Sequence, residues 1–223
     1  MKPKSFLSFL YLFSWSLLLS GLLVSNICLG ANHIKTSKVK APAGSSITVK
    51  NLMIAYNVQS NAKEKFLVFA KKADEDGYKK AAQLFRAAAD SAQVLARNSA
   101  KALTDMGITP AATLRNHKIR STRENLERSV KSEGYKAKKM YPKFKTQAET
   151  DNIKNAIILF GSAAKVASNR KKLFENALKN LDSMKNQSKG FFVCQICGNL
   201  VEVIDFTDCP VCGYPASEYK IIS

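Results

Sequence analysis

Histidine is nearly absent from this 223-residue chain, which has only His33 and His117. Neither stands three residues after a glutamate, so no Glu-x-x-His pair exists to present two metal ligands on one helical face. Acidic residues are also scarce, with 17 Asp and Glu against 35 Lys and Arg. A site for hard cations built from several carboxylates therefore has little to draw on. Charge of either sign is missing from Phe6 to Val24, directly after Lys2 and Lys4. A short positive region followed by an apolar run reads as a signal peptide over residues 1–30, with Gly30 or Ala31 suiting the cut. No twin arginine precedes it, which points to export of an unfolded chain and an extracytoplasmic, periplasmic location. The run is also long enough, at roughly 20 residues, to remain as an uncleaved membrane anchor. Lipidation at Cys28 fits poorly, because bulky Ile27 and polar Asn26 precede it.

The formal net charge is +18, and +16 once Lys2 and Lys4 are removed. Such a charge suits an acidic partner or an anionic membrane surface. The lysines are spread along the chain rather than clustered, however, which describes a solvated helical surface and gives no ground for specific nucleic-acid binding.

Residues 31–47 are polar, include Ala41-Pro42-Ala43-Gly44-Ser45-Ser46, and read as a linker. Four helical segments are expected next, near Thr48 to Asp74, Tyr78 to Met106, Thr122 to Ala148 and Asp151 to Met184. In the first, Leu52, Ala55, Tyr56, Gln59, Ala62, Phe66 and Phe69 recur at threes and fours and share one stripe. Ala81, Leu84, Phe85, Ala88, Ala92, Leu95 and Ala96 do the same in the second. Asp76-Gly77 and Thr150-Asp151 make tight connections, whereas Gly107 to Ser121, containing Pro110, is long. One long crossover in the middle of four helices predicts a ferritin-like four-helix bundle over residues 48–187. Pro142 should kink or locally open the third helix.

After Gln187-Ser188-Lys189-Gly190 the composition shifts to Phe, Val, Ile, Cys, Gly and Pro. Residues 188–223 therefore form a separate module, too small to fold unaided without a metal or disulfides. It carries Cys194-Gln195-Ile196-Cys197-Gly198 and Cys209-Pro210-Val211-Cys212-Gly213, with 11 residues between the pairs. Each CxxC lets two thiolates reach one ion, and the following glycine accepts the left-handed turn that aims amide groups at the sulfurs. Cys194, Cys197, Cys209 and Cys212 thus predict a rubredoxin-like site for one iron, with zinc as the other soft-ligand choice. Disulfides are the alternative in an oxidising compartment, but paired knuckles ending in glycine match a metal better.

With these knuckles go Asn51-Leu52, Asp76-Gly77-Tyr78, Glu124-Asn125-Leu126 and Met140-Tyr141-Pro142-Lys143-Phe144. Together they make the chain from Lys50 to Ile222 resemble the rubrerythrin family, which joins a ferritin-like di-iron bundle to a C-terminal rubredoxin-like domain. The resemblance implies a di-iron peroxidase fed with electrons by the rubredoxin-like iron, and a homodimer formed through the bundle. It places the di-iron ligands at Gln59, Ala92, Leu95, Glu133, Lys136, Ala167 and Arg170, where only Glu133 is a carboxylate. Two hard iron ions beside one carboxylate, a lysine and an arginine would be repelled, so no di-iron centre is expected. Ala92, Leu95 and Ala167 read as ordinary core. Glu133 either pairs internally with Lys136 or Arg170, or these cations snorkel to solvent. Tyr56, Tyr135 and Tyr141 are candidates for redox-active tyrosines, with packing against a hydroxyl partner as the simpler role.

Three functions follow. The first is an exported electron carrier with iron at the four cysteines and an unknown redox partner. The second is a non-enzymatic scaffold whose cysteines hold structural zinc. The third is a di-iron peroxidase with unorthodox ligands, which the ligand count disfavours.

Overall fold

A computed structural model describes residues 46–186 and 190–223. The expected signal segment and the linker up to residue 45 lie outside these residues, as do Cys28 and His33. Five helices make the bundle: α1 (Ile47–Glu75), α2 (Lys79–Thr104), α3 (Thr122–Tyr135), α4 (Tyr141–Thr150) and α5 (Lys154–Lys179). A π-helical turn, Lys136–Met140, joins α3 to α4, so the third expected helix is continuous but locally opened. Pro142 explains the opening: it has no N–H to return to the carbonyl four residues earlier, and its ring crowds that carbonyl. The wider π turn relieves both, and Tyr141 N–H bonds back to the Lys136 carbonyl instead.

The turns are repetitive. After α1, Gly77 N–H bonds the Asp74 carbonyl and Tyr78 N–H the Ala73 carbonyl; after α4, Asn152 and Ile153 repeat this with Glu149 and Ala148. The residue that closes each turn has positive φ, +80° at Gly77 and +52° at Asn152, as a Schellman end requires. In both turns the preceding aspartate then caps a different helix. Asp76 accepts from Thr122 N–H and Oγ1–H at the start of α3, at 2.9 and 2.7 Å. Asp151 accepts from Thr48 N–H at the start of α1, at 3.1 Å. Asp151 therefore ends α4 and caps α1 rather than opening the fourth expected helix, which begins at Lys154. That helix also stops at Lys179, with a 3-10 turn over Leu181–Lys185 in place of its expected last turn. Replacing Asp76 by Ala removes two acceptor contacts from the buried Thr122. A loss of about 1 kcal/mol in urea unfolding is expected, and an unchanged midpoint would show that the cap contributes nothing.

The expected stripes face the core. Of the residues in the two stripes, only Tyr56 is not fully buried. Phe66, Phe85 and Phe174 stack around one another with ring centroids 5.4–6.2 Å apart, binding α1, α2 and α5. Tyr141, Phe144 and Phe160 make a second aromatic group. The long crossover is held against α1 by Asn57 and Asn61, whose side chains bond the backbone of Thr113 and Arg115 at 2.8–2.9 Å. Among the described residues, no helix is long and apolar enough to cross a membrane.

The C-terminal segment folds as a three-stranded antiparallel sheet of β1 (Phe191–Cys194), β2 (Leu200–Val201) and β3 (Tyr219–Ile222), in the order β2-β1-β3. Phe191, Val193 and Leu200 from its inner face join the same apolar cluster as Phe66 and Phe85, so the sheet closes over the bundle.

Candidate metal centre

The four cysteine sulfurs lie within 4.8 Å of one another. The nearest pairs, Cys194 with Cys212 and Cys197 with Cys209, are 3.8 and 3.7 Å apart. An S–S bond is about 2.05 Å, so these are not disulfides, and all four cysteines are free. The two knuckles have the same backbone bonds: Gly198 N–H to the Cys194 carbonyl and Gly213 N–H to the Cys209 carbonyl, both 2.8 Å. Their glycines have φ of +80° and +74°. At Gly198 a side chain is excluded twice, because a Cβ would also lie 2.8 Å from the Ser91 carbonyl oxygen of α2. Cys194, Cys197 and Cys209 are buried, and Cys212 is the most accessible of the four. The Cys194 thiol is pulled down by hydrogen bonds from the Cys197 side chain and from the Cys197 and Ile196 amides, whereas Cys197 is pushed up by that same contact and Cys212 by burial. Four soft anionic donors this close together fit one tetrahedral iron or zinc ion.

A knuckle turns its amides toward the sulfurs and leaves its carbonyls facing outward, where burial would be costly without donors. α2 supplies them. Ser91 Oγ–H donates to the Gly198 carbonyl, Arg97 to Gln195 and Asn98 to Ile196, at 2.5, 2.5 and 2.7 Å. From α5, Asn169 donates to Asn199 Oδ1 at 2.8 Å; Asn199 Nδ2 donates to the Tyr219 hydroxyl at 2.8 Å; and that hydroxyl donates to Cys209 Sγ at 3.1 Å. Spacing alone marked none of Ser91, Asn169, Asn199 or Tyr219. The one available signal was that the knuckles expose carbonyls that some neighbour has to satisfy.

The seven bundle positions taken from the family pattern are all buried. Ala92, Leu95 and Ala167 are core, as expected. The others form one polar group. Arg170, with no solvent exposure, donates through Nε and Nη2 to Glu133 Oε2 at 3.0 and 2.7 Å. Lys136, on the π turn, meets Glu133 Oε1. Arg170 also reaches Ser91 Oγ at 3.3 Å and Gln59 Oε1 at 3.5 Å, and Gln59 Nε2 donates to the Tyr141 hydroxyl at 2.5 Å. Glu133 therefore pairs with both cations inside the bundle, and snorkelling to solvent does not occur. Burial would raise the Glu133 carboxyl, but the Arg170, Lys136 and Lys65 charges outweigh it and hold it down to about 2. Burial lowers the Lys136 ammonium, only partly offset by Glu133, to about 7. Of the three tyrosines, Tyr141 is packed with a hydroxyl partner and burial pushes it up to about 12. Tyr56 is partly buried. Tyr135 departs from the packed role expected of it, being 61% exposed where the π turn begins.

Among the described residues, the four cysteines are the one group of three or more His, Cys, Asp or Glu side chains close enough to hold a metal. Ser91 joins the two polar groups, since it accepts from Arg170 and donates to the knuckle carbonyl of Gly198.

A sequence model of the rubrerythrin family matches residues 50–178. Rubrerythrin-1 of Clostridium acetobutylicum is 26% identical over 185 residues, spanning 79% of this chain and 94% of that protein. Nigerythrin of Nitratidesulfovibrio vulgaris is 29% identical over 174 residues, spanning 77% and 85%. The structure of nigerythrin in its fully reduced, all-ferrous state matches with a TM-score of 0.73 and 26% identity, over 89% of this chain and 97% of that one. The bacterioferritin BfrA of Mycobacterium tuberculosis, at 14% identity and a TM-score of 0.57, shares the fold alone.

Proposed function

The chain belongs to the rubrerythrin family, and from that premise we propose that it is an exported one-electron carrier whose single metal centre is iron at Cys194, Cys197, Cys209 and Cys212. The observation that carries this reading is the donor set: four thiols gathered within 4.8 Å on two glycine-ended knuckles. Iron bound there would supply reversible one-electron chemistry between its ferric and ferrous states. The protein's part is to hold the sulfurs in place, shield three of them from water and tune them with donors. Tyr219 is one such donor, through its hydroxyl on Cys209 Sγ. Cys212, the least covered ligand, gives electrons their shortest way out.

In this reading the di-iron peroxidase centre of the family is lost and a cation–carboxylate cluster stands in its place. Support comes from Arg170 and Lys136, which occupy both oxygens of Glu133, the one carboxylate among the seven positions. Export rests on the apolar run after Lys2 and Lys4, and a homodimer on the family resemblance.

The test is a redox titration of iron-loaded protein followed by visible absorption, with hydrogen peroxide turnover measured alongside. We expect thiolate-to-iron bands that bleach and return with one electron, and no peroxide turnover above that of free iron. A colourless zinc protein from iron-replete cells would favour the scaffold role, and peroxide turnover would restore the di-iron enzyme. In the same titration, Tyr219→Phe is expected to lower the reduction potential. Loss of an O–H donor leaves more negative charge on Cys209 Sγ and favours the ferric state. An unchanged potential would mean that the hydroxyl does not act on the sulfur.

A further inference from the structure

The charges inside the bundle do not balance. Glu133 faces three cations, Arg170, Lys136 and Lys65, and carries one negative charge. Lys65 is half-buried and has no carboxylate partner among the described residues; its ammonium donates to Ser132 Oγ at 3.3 Å and sits 4.8 Å from the centre of the Phe66 ring. Lys65 and Lys136 together form one wall of a cavity of about 400 Å³ between α1, the long crossover and the π turn. The crossover adds Arg115 and His117 to the lining, and no carboxylate lines it. The His117 Nε2 is buried without a hydrogen-bond partner, and burial lowers the imidazole from its usual range, so the ring is neutral at neutral pH. Val58, Ala62 and Met140 give the cavity an apolar patch, Asn57, Asn61, Asn116 and Ser132 add neutral polar groups, and exposed Tyr135 completes the lining.

We propose that this cavity binds a small organic carboxylate, its charged head beside Lys65, Lys136 and Arg115 and its short apolar body along Val58 and Met140. The physical case has three parts. Uncompensated cations inside a protein are costly, and an anion entering beside them removes that cost. The lining combines the cations Lys65, Lys136 and Arg115 with the apolar side chains of Val58, Ala62 and Met140, the mixture found in small-ligand sites generally. The volume suits a molecule larger than a bare inorganic ion. The inference concerns a different part of the chain from the cysteines and does not depend on which metal they hold.

Calorimetric titration of the metal-loaded full chain with hexanoate at neutral pH tests it, with hexan-1-ol as the uncharged control. Saturable binding of hexanoate is expected, with hexan-1-ol at least about tenfold weaker. Lys65→Met, which keeps the apolar stem, should weaken hexanoate by about tenfold or more. Arg115→Gln, exposed on the crossover and away from the core, should weaken it as well and covers the case in which the lysine variant does not fold. Inorganic phosphate should compete for the head position. Absence of hexanoate binding, equal binding of the alcohol, or unchanged affinity in both variants would overturn the proposal.

Discussion

Replacing Glu133 by Gln should cost about 3–5 kcal/mol of stability, equivalent to a fall of roughly 6–20 °C in melting temperature. The size follows from what remains. A buried ion pair is weak evidence for net stabilisation, because desolvating the charges offsets most of their attraction. Removing one partner is different, since the amide keeps the shape but leaves the fully buried Arg170 and the nearly buried Lys136 without a counter-charge. Lys136 can relieve the imbalance by losing its proton; Arg170 cannot. Thermal denaturation followed by circular dichroism at neutral pH measures the change, and an unaltered transition would show that the pairing is energetically idle.

The same cluster gives a pH signature whose sign is set by the direction of each shift. Glu133 titrates at about 2 in the folded chain against 4.5 unfolded, so its contribution is fully present above 4.5 and fades as the pH falls through 2. Lys136 is also lowered, to about 7 from 10.5, but here the shift opposes folding of the charged form. Between these values the unfolded chain binds more protons than the folded one, so stability from this group rises with pH from about 7 to 10.5. Urea unfolding of the wild type at pH 7 and pH 9 should show that rise, and Lys136→Met should flatten it. A wild-type stability that falls over this interval, by an amount that Lys136→Met abolishes, would reverse the assignment.

The second large effect concerns the cysteine module. Cys197→Ser is expected to abolish tight metal binding and to unfold residues 190–223, because the module has little core of its own and metal-binding energy is folding energy in such units. The consequence should spread. Phe191, Val193 and Leu200 close one face of the bundle, so their release exposes apolar surface on α2 and lowers the bundle's own melting temperature. The helical circular dichroism should persist at low temperature, since α1 to α5 contribute no ligand to the four-cysteine site. Hydrogen exchange by mass spectrometry separates the two parts: protection lost over 190–223 and largely kept over α1, α2 and α5. If the variant retains full protection and full metal content, the knuckles are not held by metal.

Much of this was legible from spacing, because local periodicity dictates helices and CxxC-Gly dictates a knuckle. The stripes of α1 and α2 and the four ligand cysteines are of that kind. The departures came where distant segments meet. Asp151 looks like a helix opener in its own neighbourhood, yet its carboxylate caps α1 across 103 residues of sequence. Pro142 announced a disturbed helix, but a π turn and a plain kink satisfy the same missing N–H. Glu133 was expected to pair with Lys136 or Arg170, and it pairs with both at once, one from the adjoining π turn and one from a different helix. Lys65 flanks the apolar stripe of α1 like any surface lysine, and only the crossover folded over it makes it part of a cavity wall.

The proposal that this chain keeps the four-thiolate site and has a salt-bridged cluster in place of the second centre is most directly tested by counting metal. Iron and zinc should be measured per polypeptide in protein purified from iron-replete cells. One iron per chain is the expected result; three irons per chain would contradict the loss of the second centre, and one zinc would contradict the electron carrier.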